Sequence, residues 1–243
     1  MEELFLKLYR IDNLYNEEFS KKISTHAGDV YYDIKNPNKY LTNYLDLSDS
    51  YDIHSINWYI EESKKNYKSF AVFKCINYKS ELFKDSDIIK LKHLIAKNVK
   101  IDSSNNYIIK KIDDSNYLDM MKVFYLEYKD ANEEFANTNA KRFYDVIVKH
   151  KSKIDYYFIY NGNVPVGYLS AFLYDGILKL ENFGVSKKYQ GLGYGKALFK
   201  YVVSLYKYDY LYVLTEENSN AIEIYKSWGF IEAGESYLIR KLY

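Results

Sequence analysis

Two turn dipeptides constrain the fold of this chain more than its other local features do. Asn161-Gly162 separates the apolar run Tyr156–Tyr160 from Val164–Tyr174, and Asp175-Gly176 separates that second run from Ile177–Val185. Asn-Gly and Asp-Gly between apolar runs are the strongest short-range signals of a β-hairpin, because both residues tolerate a positive φ. The sequence therefore predicts three consecutive antiparallel strands.

A glycine-rich heptapeptide, Gln190–Lys196 (QGLGYGK), follows the third of these strands. A Walker A loop needs a glycine five residues before its Gly-Lys pair and a Ser or Thr after it, but Gln190 and Ala197 occupy those positions. A Rossmann fingerprint needs a glycine three residues after Gly193, where Lys196 stands, and it opens a βαβ unit rather than closing a meander. The pattern that remains is Q/R-x-x-G-x-G/A between a strand and a helix.

This remaining pattern has the physical properties of an anion site. Glycines allow successive backbone N–H groups to point into one concavity, and a ligand approaches without meeting a Cβ. The helix that starts there leaves its first N–H groups unpaired and carries about half a positive charge at that end. A pyrophosphate fits such a site. On the loop alone, a flexible glycine-rich turn is an equal alternative.

Before the meander, the sequence predicts a strand over Tyr107–Ile112 and then two helices. The first helix covers Tyr117–Lys129, and a polar acidic loop, Asp130–Asn139, separates it from the second. In the second helix, apolar residues recur at the spacing i, i+3, i+4 from Phe143 onward.

After the glycine loop, the sequence predicts a helix with one apolar stripe and then a strand, Tyr210–Leu214. This strand should run parallel to Ile177–Val185, because a helix connects the two. A short helix from Ser219 to Trp228 follows, and two strands end the chain, Phe230–Ala233 and Tyr237–Leu242.

The first hundred residues predict a separate small α/β domain. Apolar periodicity indicates helices around Leu4–Tyr9, Ile53–Ile60 and Ile88–Ile95, and strands over Asp29–Ile34 and Phe70–Ile76. The polar segment Asn98–Asn106 marks the boundary. The predicted domains are therefore residues 1–104 and 105–243.

Composition excludes several classes of function. The formal net charge is +1 without a basic stripe, which argues against a nucleic-acid partner. No apolar run reaches the ~18 residues of a membrane span, and the N-terminus lacks a signal-peptide pattern. The single cysteine, Cys75, cannot form an internal disulfide and predicts a reducing cytoplasm. The four histidines lack metal-ligand spacing, so no metal site is expected.

From Tyr107 to Tyr243 the sequence resembles the GNAT-type N-acetyltransferases. Gln190, Gly193 and Gly195 match the pyrophosphate motif of that family, and a second motif reads Asn218-x-x-Ala221-x-x-x-Tyr225-x-x-x-Gly229-Phe230. The resemblance implies an α/β fold with a mixed sheet, the GNAT acyl-CoA N-acyltransferase fold, to which this chain adds the small N-terminal α/β domain. It also implies transfer of an acetyl group from acetyl-CoA to a primary amine of a small molecule or peptide.

The resemblance further implies where acetyl-CoA binds. In the family, the pantetheine arm lies between the splayed parallel strands, where its amides would pair with backbone groups of Phe183 and Val185. The pyrophosphate would meet the loop residues Gln190, Gly191, Leu192, Gly193, Tyr194, Gly195 and Lys196. Asn218 either contacts the cofactor or caps the helix that follows it.

Two residues are the catalytic candidates that the resemblance implies. Tyr225 stands where the family places the tyrosine that protonates the departing thiolate, although it is also one of 30 tyrosines and fits a helix core equally by type. Glu181 stands where many relatives carry the acid that deprotonates the amine, which is otherwise protonated at neutral pH. The alternative for Glu181 is an exposed strand carboxylate. If the strand has no bulge, Glu181, Phe183 and Val185 share one face.

The acceptor and the role of the N-terminal domain are less constrained. Carboxylates of Asp130, Glu133 and Glu134 would favour a cationic amine, and a solvated loop is the alternative. We expect the N-terminal domain to be a degenerate acyltransferase-like half that shapes the acceptor site or forms a homodimer, without binding CoA. Two other functions stay open, a non-catalytic acyl-CoA sensor and a nucleotide-binding module that uses the same loop.

Overall fold

The computed structural model describes residues 1–66, 70–97, 99, 107–119, 122–123, 132–150 and 152–243. Residue contacts divide the chain into two compact units. Unit 1 comprises Met1–Leu94 together with Leu214–Tyr243, and unit 2 comprises Ile95–Val213. The C-terminal segment thus groups with the N-terminal part, whereas the sequence placed it in the second domain. The predicted boundary between residues 104 and 105 lies outside the described residues.

The helices and strands whose bounds the structure gives follow in chain order. They are α1 (Glu2–Glu17), β1 (Lys21–Thr25), β2 (Gly28–Tyr32), β3 (Tyr44–Leu47), α2 (Ile53–Asn66), β4 (Phe70–Cys75), β5 (Asp87–Ala96), β6 (Ile108–Lys111), α3 (Glu133–Tyr144), β7 (Ile154–Asn161), β8 (Val164–Tyr174), β9 (Ile177–Val185), α4 (Tyr194–Ser204), β10 (Tyr210–Glu216), α5 (Ala221–Ser227) and β11 (Ile231–Leu242). A π-helical turn, Asp145–Lys149, continues α3.

Unit 1 is built on a mixed sheet with the strand order β1-β2-β3-β4-β11-β5. β3 and β4 are parallel, and β4 pairs with β11 in the antiparallel sense. Alternation along β4 sends Phe73 and Cys75 into a core with Ile56 and Tyr59 of α2. Lys74 lies between these two residues in the chain, so its side chain faces the opposite side of the sheet, where α1 packs.

A buried polar cluster joins α1 to the sheet of unit 1. Lys74 is 2% exposed, and its Nζ lies 2.5 Å from Oδ2 of Asp12 and 2.5 Å from Oδ1 of Asn13, both on α1. The same Nζ lies 4.5 Å from the centre of the Tyr9 ring. A second carboxylate, Asp46, accepts hydrogen bonds from Tyr9 and Asn13, and burial raises the pKa of its carboxyl. The ammonium of Lys74 thus compensates buried negative charge.

Two predicted elements of unit 1 are wrong. The segment predicted as a helix over Ile88–Ile95 is strand β5, because Leu91, His93 and Ile95 alternate along a strand that is buried on both faces at its end. The two predicted C-terminal strands are one strand, β11. Gly234 does not form a turn there; a Cβ on it would lie 2.3 Å from the Phe5 ring of α1, so the glycine allows the helix to approach. The polar strand β1 and the short β3 were not predicted.

Unit 2 contains a mixed sheet with the order β10-β9-β8-β7-β6. The meander β7-β8-β9 is antiparallel as predicted, and Asp175 and Gly176 in its second turn both have positive φ. β10 is parallel to β9, which confirms the predicted crossover. Phe143 of α3 packs on Tyr156 on one face of the sheet, and Tyr201 of α4 packs on Tyr157, which alternation places on the other face.

The segment between β6 and β7 was predicted to contain an acidic loop and two helices. The prediction of an acidic loop over Asp130–Asn139 is wrong for residues 133–139, because these residues form the first turns of α3. Asn132 caps this helix by accepting a hydrogen bond from Phe135 N at 2.9 Å, and acidic residues in the first turn complement the helix dipole. Of the predicted helix Tyr117–Lys129, residues 117–119 and 122–123 are helical, and the remainder lies outside the described residues.

Replacing Lys74 by Met should destabilise unit 1 by about 3–5 kcal/mol, because the substitution leaves buried carboxylate without its ammonium partner. The measurement is urea unfolding followed by circular dichroism. Lys65→Met is the control, since Lys65 pairs with Glu62 on the exposed side of α2 and such pairs contribute little. Equal unfolding midpoints for the two variants would contradict the role given to Lys74.

Cys75 should resist thiol reagents in the folded protein. Its side chain lies in the core, and burial raises the pKa of its thiol to about 12. The thiol is then protonated at pH 8, and only the thiolate is reactive. We expect Ellman's reagent at pH 8 to label Cys75 slowly in buffer and rapidly in urea, which absorbance at 412 nm measures. Rapid stoichiometric labelling of the native protein would show the core of unit 1 to be open.

Candidate functional site

The glycine loop of unit 2 leads directly into α4. Gly191 and Gly193 have φ values of +77° and +86°, which side-chain-bearing residues rarely adopt. Gly193 is the N-cap residue and supplies no side chain to the helix end. The first intrahelical bond runs from Ala197 N to Gly193 O at 3.0 Å. The N–H groups of Tyr194, Gly195 and Lys196 therefore precede the helical ladder and are available to an anion.

Neighbouring side chains hold the loop in this conformation. Gln190 donates from Nε2 to the carbonyl oxygen of Val185 at 2.9 Å and so closes the loop onto the end of β9. Tyr107 donates to the carbonyl oxygen of Leu192 at 3.2 Å, and its ring lies 5.0 Å from that of Tyr194. Gln190, Leu192 and Tyr194 were predicted to meet the pyrophosphate. The structure shows that they also hold the loop in place, a role that the sequence did not indicate.

Two other helices of the chain begin differently. At the start of α2, Asp52 accepts hydrogen bonds from Ser55 N at 2.9 Å and Ser55 Oγ at 3.0 Å, which lower the pKa of its carboxyl. At the start of α3, Asn132 is the cap. Since a carboxylate already lies at the N-terminus of α2, that end does not attract an anion, whereas α4 starts on glycine without a side-chain cap.

A β-bulge interrupts β9 directly after Glu181. In the register with β8, Ser170 lies opposite Glu181 and Tyr168 lies opposite Gly184, so β9 carries one extra residue there. Asn182 has a φ of +48°, the left-handed conformation typical of a bulge residue. Strand alternation consequently shifts by one residue between Glu181 and Gly184.

The bulge overturns the expectation that Glu181 shares a face with Phe183 and Val185. Gly195 shows where the latter two lie, because a Cβ on it would be 3.5 Å from Phe183 Cζ and 3.5 Å from Val185 Cγ2. Phe183 and Val185 thus contact the N-terminus of α4. Glu181 shares its face with Ser170, whose other strand neighbour is Tyr156 on the α3 side. The predicted donor-binding residues and the predicted base lie on opposite faces of one strand.

Glu181 is paired with a buried lysine. Lys179 is 0% exposed, and its Nζ lies 2.6 Å from Oε2 of Glu181, whose side chain is 26% exposed. The carbonyl oxygen of Glu181 accepts a hydrogen bond from Ser170 Oγ at 2.7 Å. Glu181 is therefore partly accessible and is held at both its carboxylate and its backbone.

Tyr225 and Asn218 belong to unit 1. Tyr225 is 9% exposed, and its ring centre lies 6.0 Å from that of Trp228 and 5.4 Å from that of Phe230. Asn218 is exposed in the turn before α5. It is not the N-cap, because α5 begins after Asn220, and Ser219 Oγ accepts the hydrogen bond from Ala221 N.

The predicted acceptor carboxylates lie on α3 or outside the described residues. Glu133 and Glu134 are exposed in the first turn of α3, where they complement the helix dipole. Asp130 falls outside the described part of the chain. Within that part, no three His, Cys, Asp or Glu side chains are grouped to hold a metal ion, and no helix has the length and apolarity to cross a bilayer.

Residues 119–230 match the family model described as the acetyltransferase (GNAT) family. This part of the chain is a GNAT acetyltransferase domain. The match includes β7 to β9, the glycine loop and the segment Asn218–Phe230. A search of curated protein sequences finds no match to the chain.

Solved structures share the fold over most of the chain. A functionally unknown conserved protein from Staphylococcus epidermidis is 20% identical with a TM-score of 0.72, covering 91% of this chain and 94% of its own. A GCN5-related N-acetyltransferase from Kribbella flavida is 11% identical with a TM-score of 0.63, covering 96% and 95%. A tandem GNAT protein from the clavulanic acid biosynthesis pathway is 10% identical with a TM-score of 0.54, covering 78% and 68%. These likenesses confirm the predicted α/β GNAT fold.

Sequence reasoning missed Lys179 as a partner in this GNAT domain. The run Ile177–Val185 is predicted as an apolar strand, and that prediction gives Lys179 no role. Four consecutive buried residues at the start of β9 include this lysine. A charged residue flanked by leucines, two positions before a glutamate, is the signal that was available, because strand alternation puts residues i and i+2 on one face.

Alanine at Gly193 should destabilise the GNAT domain, whereas alanine at Gly195 should not. Gly193→Ala places a Cβ on a residue with φ of +86° and should cost about 1–2 kcal/mol. Gly195→Ala adds a methyl group at ordinary contact distance in a helix and should leave stability unchanged or slightly raised. Urea unfolding of both variants measures this difference. Equal destabilisation by both would argue against the loop conformation described above.

Proposed function

We propose that this chain is an acetyl-CoA-dependent N-acetyltransferase that acts on a primary amine. The observation that carries the proposal is the start of α4, where backbone N–H groups without a side-chain cap follow two glycines with positive φ. This arrangement suits a pyrophosphate. The GNAT family match over residues 119–230 supports acetyl-CoA as the source of that pyrophosphate, since the family resemblance implies this cofactor.

The residues at the start of α4 fit the cofactor. Gly191 has open space around the position of a Cβ, and Gly195 has only the side chains of β9 nearby. Backbone N–H groups of Gly193 to Lys196 would hold the pyrophosphate, and backbone groups of Phe183 and Val185 would pair with the pantetheine arm as an added strand does. When bound, acetyl-CoA supplies the acetyl thioester that the amine attacks.

The chain's own residues fill the remaining roles. Glu181 accepts a proton from the acceptor amine, which must be neutral to react. A strand amide of Phe183 or Val185 donates a hydrogen bond to the oxyanion. Tyr225 gives a proton to the departing thiolate, and Asn218 is a further candidate contact for the cofactor. The exposed carboxylates Glu133 and Glu134 favour a cationic acceptor, such as a polyamine, an aminoglycoside or a lysine side chain.

We propose that the N-terminal domain, residues 1–104, is a degenerate acyltransferase-like half without a CoA site of its own. The fold likeness to a tandem GNAT protein supports this view, as does the carboxylate that caps α2. We propose that it shapes the acceptor site or forms a homodimer.

We further propose that the protein resides in a reducing cytoplasm and has no nucleic-acid partner.

A second function, acyl-CoA binding without catalysis, is favoured by one observation. Lys179 already contacts the carboxylate of Glu181, so the expected base is engaged in an ion pair. In that case the loop binds acetyl-CoA and no amine is acetylated. The two functions differ in turnover and not in cofactor affinity.

Tyr225→Phe should lower kcat by about 100-fold or more while acetyl-CoA still binds, because the variant keeps the ring and its packing but loses the proton donor. Turnover is measured as CoA thiol released from acetyl-CoA in the presence of polyamines, aminoglycosides and lysine peptides. Binding is measured as the rise in melting temperature on adding acetyl-CoA.

Tyr174→Phe is the matched control, since Tyr174 lies at the hairpin end of β8 and should be fully active. If acetyl-CoA binds but no amine is acetylated by the wild-type protein, the sensor function replaces the enzyme. Stabilisation by ATP or NAD, without any by acetyl-CoA, would refute both.

A further inference from the structure

Lys179 occupies an unusual place for a lysine. It lies in the interior of β9 between Leu178 and Leu180, and all three residues are buried. Its Nζ lies 4.9 Å from the centre of the Tyr212 ring on the parallel neighbour β10, and Tyr212 is also fully buried. An acceptor in solvent has no access to this ammonium group, so Lys179 does not touch the substrate itself.

Stability gives little reason for a lysine at this position. Burial of an ammonium group is unfavourable because the group loses its hydration, and an ion pair with a carboxylate offsets that loss only in part. An apolar residue of similar length would fill the same space between the two leucines without that cost. The retained charge is therefore explained better by an effect on Glu181 than by the packing of β9.

In the ion pair of Lys179 and Glu181, only the glutamate is accessible to solvent, and the surrounding contacts fix its position. Glu181 meets Lys179 through Oε2 at 2.6 Å, and its carbonyl oxygen accepts from Ser170 Oγ at 2.7 Å. The bulge residue Asn182 follows directly, so the chain direction changes just beyond the held carboxylate. The buried lysine, the serine and the bulge together give Glu181 one orientation, on the α3 face.

We propose that Lys179 is a positioning residue for Glu181: it directs the carboxylate so that Oε1 accepts the amine proton. This inference rests on the proposed function, because it assigns a purpose to the ion pair of the proposed base. It also resolves the observation that favoured a sensor, since Lys179 occupies one carboxylate oxygen and the other is the acceptor of the proton.

Because Glu181 is paired with a buried lysine, its role must be tested with a double variant as well as a single one. Glu181→Gln alone leaves Lys179 buried without its carboxylate, so a loss of activity would be confounded by a loss of stability. The double variant Lys179→Met/Glu181→Gln removes both charges and should regain most of the urea midpoint that Glu181→Gln loses. It should not regain acetyl transfer, because the proton acceptor is still missing.

The single variant Lys179→Met reports on positioning. It keeps Glu181 but removes the nearby positive charge, which favours the protonated carboxyl. The acid limb of kcat/KM against pH should move upward relative to wild type. Lys111→Met is the control, because it removes a positive charge from an exposed lysine on β6 and should leave the limb in place.

Two results would overturn the proposal. One is an acid limb for Lys179→Met that coincides with that of Lys111→Met. The other is acetyl transfer restored in the double variant, which would make the pair structural and Glu181 no base.

Failure of the proposed function is a separate outcome. If the wild-type protein acetylates no amine, the carboxyl carbon of Glu181 is titrated by NMR in wild type and in Lys179→Met. A higher midpoint in the variant supports the control of Glu181 by Lys179, and equal midpoints refute it.

Discussion

One extra residue in β9 determines how the GNAT domain of this chain is arranged. Before the bulge, Lys179 and Glu181 face α3; after it, Phe183 and Val185 contact the first turn of α4. A regular strand would put all four side chains on one face. With the bulge, the same short segment places a carboxylate on one face and the proposed cofactor-binding side chains on the other. The backbone between these faces carries the amides proposed to bind the pantetheine arm and the oxyanion.

The way in which the helices begin explains why we assign the proposed anion site to α4. The N-terminus of every helix has unpaired N–H groups, so the helix type alone does not select a phosphate. In α2 the carboxylate of Asp52 satisfies such groups, and in α3 the side chain of Asn132 does. In α4 the N-cap is a glycine, and its positive φ turns the chain without a side chain. The difference is local, and it distinguishes the start of α4 from the starts of α2 and α3.

Both units contain a fully buried lysine beside a carboxylate and over tyrosine rings, but the two pairs differ in accessibility. In unit 1, Lys74 and Asp12 are both buried, and the pair joins α1 to the sheet. In unit 2, Lys179 is buried whereas Glu181 is partly exposed. A fully buried pair can only act on stability and on the choice of packing. A pair with one exposed end can also act on a ligand, which is why we assign a functional role only to the second.

The sequence by itself determined the local structure around the candidate site. Asn161-Gly162 and Asp175-Gly176 specify the meander because their backbones adopt turn conformations at low cost. The glycines of Gln190–Lys196 likewise adopt a positive φ at low cost, and they start a helix that has no side-chain cap. Local sequence patterns gave wrong predictions where the structure of a segment depends on residues that are distant in the chain. Ile88–Ile95 became a strand through pairing in a sheet, and Gly234 serves the approach of Phe5 rather than a turn. Only the tertiary structure decided that Asn182 bulges and that Lys179 meets Glu181, because a register between two strands is set by the whole sheet and not by the residues of one strand.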